Sequence, residues 1–398
     1  MTGDEEIIPF ITSLTPDNTI ITGLVLLIGI VFIFLSILGA AGYMTTLLSI
    51  AAYAYPIARM KAVGVPFIYS GPLRELLESG NVSECLSRLR IAGHPLGREK
   101  RSDPGFLETR LIQIWYDEIS LLASIAPPNV APFFQTSLEQ AEIAEIKRII
   151  RLIHIPSEGL READRISPVG EITGDLIEQA LRAQSLEDCI HQFHETRYGA
   201  ALATAFSPHQ AGGSILPLET ALDHVFFTDL TVTTGMIRSD MAHPYQEYLG
   251  QVIDIQNMRT LIRTKHSGWN ESDILLCLME GGHTFPYWRI LQFNEMQSVP
   301  DLINQVSGTV FDPVLTPVLA RYPNPECLLL FDLALDRYHL DLAERISLVY
   351  YHTGGPLIAS LVEKWVEMRN IQVILSGISA GVSPDRIRTY LLALPETV

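Results

Sequence analysis

The stretch "CIHQFHETR" (Cys189 to Arg197) holds the residues of this chain best suited to binding a metal: Cys189, His191 and His194. A thiolate and two imidazoles suit zinc, which takes four such ligands in a tetrahedral shell. A helical period separates them. Cys189 falls on the apolar face, whereas His191 and His194, three apart, fall on the other flank, so no metal site is expected there. Phosphate chemistry would call for GxxxxGK[ST], and "GISAG" (Gly377 to Gly381) lacks the lysine. There is no HExxH. "GGH" (Gly281 to His283) and "HTGGP" (from His352) read as joints between elements. Asp223 and Asp336 would serve as an acid–base pair only if the fold brought them together. They read instead as equivalent structural residues, and no catalytic residue, metal or cofactor is expected.

The elements that carry these residues repeat. "DIQNMRTLIRTKHSGWNESDI" (Asp254 to Ile274) lies over "EMRNIQVILSGISAGVSPDRI" (Glu367 to Ile387) without a gap, setting Asn257 on Asn370 and Gly268 on Gly381, 113 positions apart. The same shift sets Ser185 of "SLEDCIHQF" on Ser298 of "SVPDLINQV", and Asp223 of "ETALDHVFFTDL" on Asp336 of "DLALDRYHLDLA". An earlier form of the asparagine segment, "EIAEIKRIIRLIH", has Glu145 in the asparagine's place and Lys147 in that of Arg259. Signatures advancing at one period mark a repeat architecture. The division expected is an acidic tail (1–19), an apolar span and its exit (20–50), three helical repeats (51–140, 141–250, 251–365) and a closing helical segment (366–398).

Within each repeat the patterning is helical. Ser185 and Ser298 are N-caps with an acid three residues on (Asp188, Asp301), and Asn81 with Glu84 is a third case. Apolar residues follow on one face: Val82, Cys85, Leu86 and Leu89; Leu186, Cys189, Ile190 and Phe193; Val299, Leu302, Ile303 and Val306. "ILLCLM" and "CLLLF" are short enough for strands but sit inside longer helical patterns. The body is therefore expected to be all-α. Arg259 and Arg263 share a helix face at i and i+4. With Asn257 they form either a polar network that stabilises the fold or a contact surface for a partner. Gly268 and Gly381 follow their helices as breaks permitting a left-handed residue, and Asn270 and Ser383 are the next N-caps.

Composition bounds the class. In the 398 residues, 47% are hydrophobic and mean hydropathy is +0.22. The excess gathers in Ile20–Gly42, "IITGLVLLIGIVFIFLSILGAAG", within a charge-free run from Asn18 to Ala58. A bilayer core takes roughly 20 apolar residues in a helix. The acidic leader "MTGDEEIIPF" does not suit a signal peptide, whose apolar core is also shorter. A transmembrane helix is expected. Arg59, Lys61 and Arg74 follow it and no basic residue precedes it, which places the N-terminus outside and the body in the cytoplasm. The net charge of −17 argues against nucleic acid as a partner. The one basic cluster, "GREKR" (Gly97 to Arg101), reads as a solvated loop, with contact to lipid headgroups or an acidic partner as the alternative. Cys85, Cys189, Cys277 and Cys327 form no CxxC pair and read as reduced structural thiols.

"DIQNMRTLIRTKHSG", "LETALDHVFF", the terminal "EMRNIQVILSGISAGVSPDRIRTYL" and "YAYPIARMKAVG" (Tyr53 to Gly64) resemble the C subunit of archaeal A-type ATP synthases and the related d subunit of vacuolar-type proton ATPases. The resemblance spans roughly Tyr53 to Leu392. It implies three similar helical bundles in a pseudo-threefold funnel. It also implies a noncatalytic role: seating the central stalk on the membrane rotor ring, with ring proteolipids and stalk subunits as partners. Two features depart from the family pattern: a full membrane span before the opening helix, and Glu145 where other copies have asparagine. The competing readings are a membrane-anchored helical-repeat adaptor or assembly factor outside the rotor, and a helical hydrolase using histidines at the joints.

Overall fold

The computed structural model describes residues 19–63, 71–154, 166–238, 241–322 and 327–392. The acidic leader lies outside them. Two compact units are distinguished, Met1–Ala52 and Tyr53–Val398. The protein is all-α: among the described residues there is no strand, only an isolated bridge between Val169 and Ile172. "ILLCLM" enters a helix and then a turn, and "CLLLF" opens a long helix.

The first helix, α1 (Thr19–Val63), contains the apolar span. It is the one helix among the described residues long and apolar enough to cross a membrane. From Leu24 to Leu38 its large apolar side chains are all exposed, an apolar surface of the kind that marks a membrane or protein contact.

In the body a pattern of elements recurs. Helices α2 (Gly71–Leu77), α3 (Val82–Ile91) and α4 (Pro104–Ile125) come first, with a 3₁₀ turn at Pro95–Arg98. After α5 (Ala131–Ser137), a long helix α6 (Glu139–His154) is followed by the short α7 (Gly174–Leu181), α8 (Leu186–Gln192) and α9 (Gly199–Gly212), and then by the long α10 (Leu216–Gly235). The long helix α11 (His243–His266) is likewise followed by α12 (Glu271–Leu275), α13 (Tyr287–Asn294), α14 (Val299–Gln305) and α15 (Asp312–Leu319) before the long α16 (Cys327–Val349). Then come α17 (Gly355–Ser379) and α18 (Pro384–Thr389).

Local chemistry sets the short helices. Asn81 Oδ1 accepts from the N–H of Glu84, Ser185 Oγ from Asp188 and Ser298 Oγ from Asp301, each satisfying a donor that the first turn leaves unpaired. The aspartates are too short to reach back to the cap's own N–H. They accept the serine hydroxyls instead, at 2.8 and 2.6 Å. The faces these caps launch are buried: Cys85, Leu86 and Leu89 in α3; Cys189, Ile190 and Phe193 around α8; Val299, Leu302, Ile303 and Val306 around α14. Leu186 and Val82 at their edges are half-buried. Gly97 of the basic loop is buried against the backbone of Arg90, whose Nε donates to its carbonyl.

One apolar core runs from Tyr53 and Trp115 to Leu392. A second unites distant parts of the chain: Leu73, Leu86 and Leu107 of α2–α4 pack with Ile371, Leu375 and Ile387 of α17 and α18. Cys85, Cys189 and Cys277 are free and buried.

Candidate functional site

Asn257 lies wholly buried on α11. Its Nδ2 donates to the carbonyl of Met279 at 2.8 Å, and its Oδ1 accepts from the Met279 N–H at 2.9 Å, 22 residues further on. Asn370, also wholly buried on α17, makes the same pair of bonds with Leu392, at 3.0 and 2.9 Å. A carboxamide carries one donor group and one acceptor in a plane, so it satisfies a backbone residue as a neighbouring strand would. Between helix and bonded residue the chain reverses at Gly268 (φ 70°) and Gly381 (φ 68°), where a Cβ would be strained. Asn270 caps α12 by accepting from Asp273 N–H. Ser383 stands at the cap of α18 without a side-chain bond, ahead of Pro384, which has no N–H to offer.

Three residues before each such lock of side chain on backbone, at Asn257, Asn370 and their counterpart Glu145, is an acid: Asp254, Glu367 and Glu142, all buried. Asp254 accepts from Thr284 N–H at 2.6 Å and from Phe285 N–H at 3.3 Å. Burial pushes its carboxyl up to about 6 against the pull of those backbone donors. "GGH" explains itself here: Gly281 adopts φ 98°, and a Cβ on Gly282 would lie 2.2 Å from Asp254 Oδ1. Sequence reasoning missed this row of acids, although "EIAE", "DIQN" and "EMRN" display it.

Asp223 and Asp336 do not meet as a pair; each belongs to a two-rung ion ladder. On α6 and α10, Lys147 binds Asp223 at 2.6 Å and Arg151 binds Glu219 at 2.6 Å. On α11 and α16, Arg259 binds Asp336 and Arg263 binds Asp332, both at 2.7 Å. Cations at i and i+4 face acids spaced by four on the partner helix, which keeps both rungs in register. The ladders are linked to neighbours. Gln256 of α11 donates to Asp223 at 3.4 Å, and Arg369 of α17 reaches Asp336 at 3.4 Å. The inner rung between α11 and α16 is shielded; Asp336 is only 5% exposed. Neighbouring Asp336 and Asp332 hold the Arg259 guanidinium above its usual range despite the burial that opposes its charge.

A cavity of about 360 Å³ lies beside these ladders, lined from six helices by Trp115, Lys147, Phe226, Gln256, His339 and Trp365 among others. A larger one of about 1120 Å³ opens between α9, α10 and the turn at Trp269. Elsewhere, His191 and His194 stack with ring centroids 4.9 Å apart on the exposed flank. Cys189 points into the core, where burial pushes its thiol up to about 12. Among the described residues no group of three His, Cys, Asp or Glu side chains is placed to hold a metal.

The described polar side chains at these positions tie long helices to each other and to the chain that follows them, which defines a helical scaffold. Residues 56–390 match the model of the ATP synthase (C/AC39) subunit family, and the chain belongs to that family. It is 26% identical over 371 residues to the C subunit of the A-type ATP synthase of Methanosphaera stadtmanae, covering 92% of this chain and 95% of that protein. It is 22% identical over 355 residues to the protein of that name from Methanocaldococcus jannaschii (87% and 88% covered). With the corresponding C subunit of Halobacterium salinarum it shares 27% identity over 261 residues (65% and 73% covered). Residues from Tyr53 on amount to less than 92% of the chain, so the first of these matches takes in part of the segment before the body.

Proposed function

We propose that this chain is a noncatalytic rotor subunit of an A/V-type ATP synthase, joining the membrane ring to the central stalk during ion-driven ATP synthesis or ATP-driven ion pumping. Family membership and the three relatives, each named as the C subunit of an A-type ATP synthase, support it. The observation that carries the mechanical role is the repeated tying of helices. A part that passes torque must resist shear between its helices, and bonds such as the reciprocal Asn257–Met279 pair and the Arg259–Asp336 ion pair supply that resistance.

In this reading the body is a funnel of three bundles. The shared core of α2–α4 with α17 and α18 supports closing the ring of bundles by joining the last helices of the chain to the first. Helix α1 crosses the membrane once, with the N-terminus outside and the body cytoplasmic, and its apolar part occupies the lumen of the rotor ring. Asn257, Arg259, Arg263, Gly268, Asn370, Gly381, Asp223 and Asp336 act by holding the bundles in shape. Purification of the tagged chain in a gentle detergent, read by mass spectrometry, tests the proposal. Ring proteolipids and central-stalk subunits should co-purify in defined ratio. Recovery of the intact chain without them would favour an adaptor or assembly factor instead.

A further inference from the structure

The second copy of the lock has a glutamate where the others have asparagine. Glu145 on α6 is as buried as Asn257 and Asn370, with no exposed surface. The backbone of Ser167 favours its charged form, and Ser167 lies 22 residues on, the same interval as from Asn257 to Met279 and from Asn370 to Leu392. An amide both accepts from and donates to that backbone residue. A carboxylate can only accept; a carboxylic acid does both.

The charged groups around Glu145 offer an alternative partner for each protonation state. On its own helix, Arg148 Nη1 lies 3.2 and 3.4 Å from the two carboxyl oxygens, and Glu142 is bonded by Tyr198 Oη at 2.8 Å. From α4, Glu108 lies 3.4 Å from the other Arg148 amino group, and the Thr109 carbonyl accepts from Ser167 Oγ at 3.3 Å. From α17, Ser376 Oγ donates to Glu108 at 3.2 Å. Arg197, beyond Tyr198, is held by Glu139 and Glu171. Arg148 is thus forked between an acid of its own lock and an acid on α4.

We propose that Glu145 is a proton-binding site at the joint of α6 with α4. Taking up a proton from solvent completes the second lock on the Ser167 backbone and turns Arg148 toward Glu108; losing it opens the lock's donor bond and draws Arg148 back. Burial raises the proton affinity of Glu145 and Arg148 opposes it, leaving the group at about 7. The folded value lies above the ordinary 4.5, so the folded chain binds more protons than the unfolded chain between these values. Stability from this group is complete below about 4.5 and is lost as pH rises through about 7.

The full chain in detergent micelles, followed by infrared spectroscopy across pH, tests this. The wild-type minus Glu145→Gln difference should contain a carboxylic-acid C=O band that fades with a midpoint near 7. Arg148→Gln should move that midpoint to higher pH, because the cation favouring the carboxylate is gone. Thermal unfolding of Glu145→Gln, whose amide keeps both bonds, should lose the part of the alkaline decline that this site contributes. Glu139→Gln serves as the control for the neighbouring acid that burial also raises to about 7. Absence of the acid band in the difference at about pH 5.5, or an unmoved midpoint in Arg148→Gln, overturns the proposal. If Glu145→Gln does not fold, the Arg148→Gln midpoint against wild type decides alone.

Discussion

Asn257 and Asn370 occupy one stereochemical role at two places: each exchanges two hydrogen bonds with the backbone of the residue 22 positions ahead. The bonded residues, Met279 and Leu392, are themselves 113 positions apart. A long helix is in this way fastened to the segment that leaves it.

Truncating Asn257 or Asn370 to alanine leaves a buried backbone N–H and C=O without partners. Each change is expected to cost about 2–4 kcal/mol in denaturant unfolding. Aspartate should be at least as damaging, since it keeps the acceptor but loses the donor and buries charge. In Asn370→Ala, amide exchange at Leu392 should quicken well beyond the change elsewhere. Unaltered exchange at Leu392 would show that the lock does not hold that segment.

The two rungs of a ladder should differ. Asp336→Ala strips the shielded partner of both Arg259 and Arg369, at an expected cost of about 3–5 kcal/mol. Arg263→Ala removes a cation about half exposed, with a side-chain exposure of 49%; after solvent screening it should cost no more than about 1 kcal/mol. Equal losses in chemical denaturation would refute the distinction between inner and outer rungs.

Leu302 has no exposed surface. Leu302→Asp trades its apolar burial, about 2–3 kcal/mol, for an unpaired buried carboxylate, and a total loss of about 4 kcal/mol or more is expected. On the proposed rotor role it should also weaken attachment to the stalk while nucleotide binding by the catalytic subunits stays unchanged. Wild-type thermal stability in this variant would be the contrary result.

Two histidines weaken the fold in acid: His94, which is buried, and His339, half-buried beside the smaller cavity. Burial pushes His94 and His339 down to about 4, with Glu367 and Asp336 respectively pulling the other way. Leu96 N–H donates to His94 Nδ1, and His339 Nε2 lies 3.0 Å from Tyr248 Oη. The unfolded chain, near the ordinary 6.5, binds more protons in this window. Their contribution is therefore complete above about 6.5 and lost as pH falls through about 4. Their share of the melting temperature should decline over that range, against the gain that Glu145, Glu139 and Asp254 contribute as pH falls, and His339→Gln should remove its part of the loss. An identical slope in that variant would place the acid sensitivity elsewhere.

If the apolar span of α1 lies in the rotor ring as proposed, cysteines introduced singly along residues 24–38 should crosslink to the inward-facing surface of that ring. Crosslinks confined to lipid probes or to the stator's membrane subunit would reject placement in the lumen.

What the sequence determined by itself was what depends on near neighbours. Asn81, Ser185 and Ser298 begin helices because a side-chain oxygen meets an N–H three residues on. Leu302 and Ile303 turn inward because apolar residues recur at a helical period. The all-α class, the apolar span and the duplicated asparagine segments follow from such short-range regularities. Pairing across the chain does not. That Asn257 binds Met279, that Asp223 is met by Lys147 and Asp336 by Arg259, and that α2–α4 share a core with α17 and α18 depends on how helices pack. Period gives each side chain a direction from its own helix but not the helix it faces. The tertiary structure alone decided that Asp223 and Asp336 anchor separate ladders, and that Glu145 stands, fully buried, where its two counterparts are amides.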